Sequence, residues 1–152
     1  MVAGYCYDWN VKNNRGDIDI FLKNGFTAQW NLENDKIWAI NPNSFEQVGC
    51  IHTAQGLEFD YVGVLIGQDL RYDPLSGRII TDKTRISKDD RTSGIRTAPD
   101  DVAERLIKNT YKTLLTRGQK GCFIFCEDEP LAAYIRSFLG HLRPSDTPVQ
   151  QA

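Results

Sequence analysis

Cys50-Ile51-His52-Thr53-Ala54-Gln55-Gly56-Leu57-Glu58-Phe59-Asp60 lies between two apolar runs, Val48-Gly49-Cys50-Ile51 before it and Tyr61-Val62-Gly63-Val64-Leu65-Ile66 after it. Both runs are short and bounded by glycine or polar residues, as buried strands are. His52 to Asp60 is therefore a polar loop or short helix at the end of a central strand. In open parallel α/β sheets, ligands bind at the carboxyl ends of strands. Gly56 at such a place lets the backbone approach a ligand closely. An N–H beside it can face an anion, especially where a helix begins.

Downstream, residues 68–100 hold seven Lys or Arg and six Asp with few large apolar side chains. Leu70 to Thr81 reads as a β-hairpin around Pro74-Leu75-Ser76-Gly77. Residues 82–99 read as an exposed loop whose charges nearly balance, which makes solvated surface its default reading. A loop of that length is uncommon unless it is functional or disordered. The sharper reading places Arg71, Lys83, Arg85, Lys88 and Arg91 on phosphates. Asp100 and Asp101 then cap a helix running to about Thr116. Its apolar face is Val102, Leu106, Ile107, Thr110, Tyr111, Leu114 and Leu115, and Gly118 stops it. Gly121 to Cys126 is a buried strand. Asp128 to Leu139 is an amphipathic helix with Pro130 in its first turn, ended by Gly140.

Upstream, residues 1–6 read as a strand, whose end presents Tyr5, Tyr7 and Trp9 to one side. These aromatics are packing residues on one reading and a stacking platform for a nucleobase on the other. Residues 10–17 are turn-like, and Ile18 to Leu22 is extended. Gly25 to Trp30 is irregular, residues 31–36 form a polar turn, and Ile37 to Ile40 is extended. Ser44 is placed to cap a short helix reaching Val48. Trp30 and Trp38 read as buried.

The chain has 152 residues, of which 41% are hydrophobic and 25% charged, enough for one ordinary globular core. A net charge of −2 does not advertise a nucleic-acid binder, although a groove can be locally basic on an acidic protein. Cys6, Cys50, Cys122 and Cys126 form no Cys-x-x-Cys pair. On one strand, Cys122 and Cys126 would be roughly 13 Å apart, too far for a bridge. All four read as reduced thiols of a cytoplasmic protein, and a zinc site is disfavoured because the two histidines stand apart from them. No signal peptide or membrane-spanning run is visible. The opening, straight into apolar sequence, reads as that of a fragment of a longer protein.

His52 to Phe59 resembles motif V of superfamily 1 helicases: a His, two residues, Gln or Lys, then Gly-Leu-Glu-Phe. Tyr111-Lys112-Thr113-Leu114-Leu115-Thr116-Arg117 resembles motif VI, Tyr-x-x-Leu-Thr-Arg. Ala3-Gly4-Tyr5-Cys6-Tyr7-Asp8-Trp9, with the glycines at 118 and 121 after motif VI, narrows the resemblance to the Schlafen-group-3-like DNA/RNA helicase domain family, over roughly residues 1 to 139.

The resemblance implies an α/β fold. It is a three-layer RecA-like domain with a mostly parallel sheet and helices on its faces, to which a β-rich N-terminal segment and the polar insert at 68–99 are added. Such a domain occupies 1–142, followed by a flexible tail at 143–152. Superfamily 1 helicases bind ATP with Mg²⁺ between two such domains, and the first carries a Gly-x-x-x-x-Gly-Lys-Ser/Thr phosphate loop. This chain has no such loop, so it resembles the second domain alone. Carried over by position, Arg117 matches the arginine finger. Gly56 faces the γ-phosphate through its N–H, Gln55 lies on the phosphate side or acts as a coupling residue, and Glu58 accepts from a ribose hydroxyl. Tyr111 falls where a base-stacking or packing aromatic stands. His52 and Thr53 match positions that touch the nucleic-acid backbone. The implied partners are the missing first domain and single-stranded DNA or RNA, with no membrane. The bland alternatives are a capping Glu58, a structural His52 and a surface Arg117. Two other functions stay open: a non-catalytic nucleic-acid-binding or regulatory module, and a nuclease with Mg²⁺ on carboxylates such as Asp60, Asp69 and Asp73.

Overall fold

Val2 and Ala3 form β1, a two-residue strand buried on all sides. The computed structural model describes residues 1–9, 16–31, 38–90 and 93–139. Most of the expected turns at 10–17 and 31–36 (all but 16, 17 and 31), Arg91, and the expected tail at 143–152 lie outside the described residues.

The strands that follow are β2 (Ile20–Phe21), β3 (Thr27–Trp30), β4 (Gln47–Val48) and β5 (Phe59–Ile66). The hairpin is β6 (Leu70–Asp73) and β7 (Arg78–Thr81). Helix α1 (Asp100–Leu115), strand β8 (Gly118–Cys126) and helix α2 (Glu129–Leu139) complete the order. β5 lies between β1 and β8, parallel to both, with Val64 opposite Val2 and Ile124. β4 extends this sheet: Gly49 bridges Val2 in parallel, and the Ala3 amide donates to the Gly49 carbonyl at 2.9 Å. β3 runs parallel to β4, and β2 antiparallel to β3. The α/β class with a parallel sheet is thus as expected.

Alternation along β5 separates two cores. Val62, Val64 and Ile66 pack with Ala103, Ile107, Tyr111 and Leu114 of α1 and Leu131 of α2. Leu65 points the other way, to Ala3, Ile20, Leu22, Trp30 and Tyr7. Both described helices therefore feed one face of the sheet. The other face is covered by the N-terminal β-rich segment, whose Trp30 and Tyr7 rings meet tilted at 57°, with centroids 5.8 Å apart. The buried side of α1 is turned from the expected one: Ala103 is buried and Leu106 is 37% exposed.

Several local expectations change. Residues 38–40 form a 3-10 turn rather than a strand. Ser44 closes the next turn, donating to the Trp38 and Asn41 carbonyls, and Gln47–Val48 is strand rather than helix. The N-cap of α1 is Pro99, without a side-chain bond, while Asp100 and Asp101 occupy the first turn, where negative charge favours the helix dipole. α1 ends at Thr116, whose hydroxyl donates to the Lys112 carbonyl at 3.0 Å. Gly118 opens β8 rather than closing α1: a Cβ on it would stand 2.2 Å from the Gly121 carbonyl oxygen. Between Phe59–Gly118 and Tyr61–Gly121 the pairing slips by a residue, a bulge that the two glycines make sterically possible.

The polar insert is packed, not merely solvated. Ile86 is 2% and Ile95 3% exposed, and both belong to the α1 core. Two apolar side chains suffice to anchor the segment, because each removes a large hydrocarbon surface from water. The Ser87 amide donates to the Tyr5 carbonyl at 2.8 Å, and Lys83 pairs with Asp100 at 2.7 Å. The hairpin turn is the expected one, with Gly77 at φ 67°. All four cysteines are free thiols. Among the described residues no helix is long and apolar enough to cross a membrane.

Candidate functional site

The loop from Cys50 to Glu58 crosses the sheet from the carboxyl end of β4 to the amino end of β5. Ala54, fully buried, pins its middle to the α1 core, and the Ala54 amide donates to the Cys50 carbonyl at 3.1 Å in a single helical turn. The residues around Ala54 are thereby pushed outward. Gln55 and Gly56 are exposed, and Gly56 has φ 75°, a left-handed conformation that glycine adopts without a Cβ penalty.

At the far end of the loop the chain meets the end of α1. The Phe59 amide donates to the Arg117 carbonyl at 2.9 Å. Arg117 Nη1 donates to the Leu57 carbonyl at 3.5 Å. That contact is long and occupies one of five guanidinium N–H groups. Gln119 Nε2 donates to Glu58 Oε2 at 2.5 Å, and Lys120 pairs with Asp60 at 2.9 Å. Gly56, Glu58 and Arg117 therefore share one edge, at the amino ends of β5 and β8. Gln55 lies on the exposed turn leading to that edge.

His52 and Thr53 stand at the other end of the loop. His52 is exposed, with its ring 5.6 Å from the ring of Tyr5, which follows β1 at its carboxyl end. Thr53 Oγ1 donates to the Cys50 carbonyl at 2.8 Å. The residues that the resemblance links to nucleotide and to nucleic acid are thus separated along the loop.

Tyr111 joins neither group. It is 1% exposed, its hydroxyl donates to Asp69 Oδ1 at 2.6 Å, and it accepts from the Gly67 amide at 3.1 Å. Tyr111 sits four residues, about 6 Å, before the end of α1, and Arg117 lies beyond that end, so the two face different ends of the sheet. Burial pushes the Asp69 carboxyl up to about 6, against the lowering effect of the Tyr111 hydrogen bond. The packing reading of Tyr111 describes its place. Tyr5, Tyr7 and Trp9 likewise pack against the β2–β3 core.

The amino edge suits an anion. Arg117 offers a charged fork, and Gly56 offers close backbone approach. It suits a cation less well, because Glu58 and Asp60 are engaged by Gln119 and Lys120. Among the described residues, no three His, Cys, Asp or Glu side chains gather as a metal ion requires. The sequence reading missed Gln119 and Lys120. The signal for both was the Gly118-x-x-Gly121 spacing, which bulges β8 toward Glu58 and Asp60.

The family described as Schlafen group 3, DNA/RNA helicase domain matches residues 1–128. A curated relative, Uncharacterized protein YPL245W of Saccharomyces cerevisiae, is 26% identical over 148 residues, covering 91% of this chain. The chain spans 30% of the length of that yeast protein. No solved structure matches the chain.

Proposed function

Because the chain belongs to the Schlafen group 3, DNA/RNA helicase domain family, we propose that it is the second RecA-like half of a nucleic-acid-dependent ATPase. In this reading Arg117 is the arginine finger: it reaches to the γ-phosphate of ATP and holds the charge that develops there. Gly56 presents backbone to the same phosphate, Gln55 lies on the phosphate side, and Glu58, oriented by Gln119, accepts from the ribose. ATP and Mg²⁺ are held mainly by a first domain outside this chain. His52 and Thr53 touch the backbone of single-stranded DNA or RNA at the opposite end of the loop.

One observation carries the proposal: Leu57 and Arg117, sixty residues apart, are in contact, so the two motif-like stretches build a single edge. The test is ATP hydrolysis by the longer protein, with and without single-stranded DNA or RNA, comparing wild type with Arg117→Ala. Stimulated turnover that falls by about 10³ or more in the variant supports the reading. Turnover of the same size in both proteins sinks it.

A further inference from the structure

A second pocket, of 410 Å³, opens at the carboxyl ends of three parallel strands, far from the Arg117 edge. Cys6 follows β1, Gln68 follows β5 and Glu127 follows β8, and all three line it. Strand carboxyl ends are where open parallel sheets bind ligands. The pocket has three chemically distinct parts. Phe21, 69% exposed, is an aromatic wall in contact with water. Asp8, Asp19 and Glu127 contribute carboxylates to its lining, beside Gln68, Ser87 and Arg96, and the exposed Arg85 and Lys88 lie on its rim.

Each part is held in place by the fold. Glu127 accepts from the Tyr7 hydroxyl at 2.7 Å and, at 3.5 Å, from Gln68. Asp8 accepts from the Ser87 hydroxyl at 2.8 Å, and Asp19 from the Trp30 amide at 2.8 Å. A carboxylate has about four acceptor positions, so one or two hydrogen bonds orient Glu127 and Asp8 without exhausting them. The rim comes from the polar insert. Ile86 and Ser87 turn inward, Ile86 into the core and Ser87 onto Asp8 and Tyr5, which leaves Arg85 and Lys88 outward on either side. Arg85 pairs with Asp82 at 3.8 Å.

We infer that this pocket holds one nucleotide with an amino-bearing base, stacked on Phe21, its amino group donating to the Asp8 or Glu127 carboxylate and its phosphate on Arg85 and Lys88. An aromatic face binds any base. A carboxylate discriminates because it only accepts hydrogen bonds: cytosine and adenine carry an amino group where thymine and uracil carry a carbonyl oxygen, and guanine carries its amino group at C2. The rim cations serve every sequence equally. The inference rests on the proposed handling of a nucleic-acid strand. It adds a base preference and gives the insert a role.

The test is fluorescence anisotropy with short oligo-dC, oligo-dA, oligo-dT and oligo-rU, with free CMP as competitor. The proteins are wild type, Phe21→Ala and Lys88→Glu, with circular dichroism to confirm folding of these surface variants. The expected result is tighter binding of oligo-dC and oligo-dA than of oligo-dT and oligo-rU. Phe21→Ala should weaken oligo-dC about tenfold and reduce the preference. Lys88→Glu should weaken all strands alike and lower the salt slope by about 1. Competition by CMP at the concentration at which strands bind would assign the pocket to a free nucleotide; competition only at far higher concentration assigns it to a strand. Equal affinity for oligo-dC and oligo-dT, a preference untouched by Phe21→Ala, or no binding at all overturns the inference. The proposed ATPase falls separately, only if hydrolysis by the longer protein fails the Arg117 test.

Discussion

The carbonyl of Arg117 accepts the Phe59 amide at 2.9 Å, which ties the end of α1 to the start of β5 through the backbone alone. Side chains at both positions can then change without breaking this link. The arrangement separates what holds the amino edge together from what the edge does.

Arg117→Ala should therefore leave the fold nearly intact while removing the proposed finger. Its side chain makes one long contact, to Leu57, so the unfolding midpoint in urea should move by less than about 1 kcal/mol equivalent. Arg117→Lys restores a charge but not the planar fork, and its hydrolysis in the longer protein should stay nearer to Ala than to wild type. Wild-type turnover in the Lys variant would show that charge alone suffices.

Two glycines should fail for different reasons. At Gly56 an added Cβ meets nothing within 4 Å but must sit at φ 75°, so Gly56→Ala should cost about 1–2 kcal/mol from backbone strain. At Gly118 the Cβ would press on a backbone carbonyl at 2.2 Å, and Gly118→Ala should cost about 1–3 kcal/mol by displacing the bulge. Denaturant titrations of the two variants check the sizes. Amide exchange should show loosening at Gln119 to Gly121 only in the second.

Asp69 makes stability depend on pH. Its carboxyl titrates at about 6 in the folded chain against an ordinary 3.8, because burial disfavours the charged form. The folded state then holds more protons than the unfolded one between those values, so this contribution is complete below about pH 4. It is lost as pH rises through about 6. The difference corresponds to about 3 kcal/mol at neutral pH. Asp69→Asn keeps an acceptor for Tyr111 and removes the titration. Its unfolding free energy, measured from pH 4 to 8, should lack the decline seen in wild type. Parallel curves for the two proteins would contradict this assignment.

Ile86→Ala tests whether the insert belongs to the core. The side chain is 2% exposed, and its truncation should cost about 2–5 kcal/mol. A surface loop would tolerate the change within about 0.5 kcal/mol. Urea unfolding distinguishes the two.

Much of this was legible before the structure. The apolar run Tyr61 to Ile66 reads as a strand, buried from Val62 except at Gly63, and the spacing of Ile107, Tyr111 and Leu114 reads as a helix face. Trp30 and Trp38 were legible as buried from their size and apolar character. Short strands were less legible. β2 and β4 have two residues each, and two residues carry no periodicity, so Ser44 to Val48 passed for a helix. The insert misled for a related reason: Ile86 and Ile95 are lone apolar residues among charges, and only their shared approach to α1 buries them.

The sequence by itself determined the longer elements, β5, α1 and α2, and the two motif-like stretches, because local periodicity and residue chemistry act over a few neighbours. It did not determine that Arg117 reaches Leu57, that Tyr111 turns inward to Asp69, or that Phe21, Glu127 and Lys88 surround one pocket. Those are long-range pairings, set by how strands register and which face of each helix finds the sheet. Register depends on burying whole faces at once, a property of the assembled core that no local stretch contains.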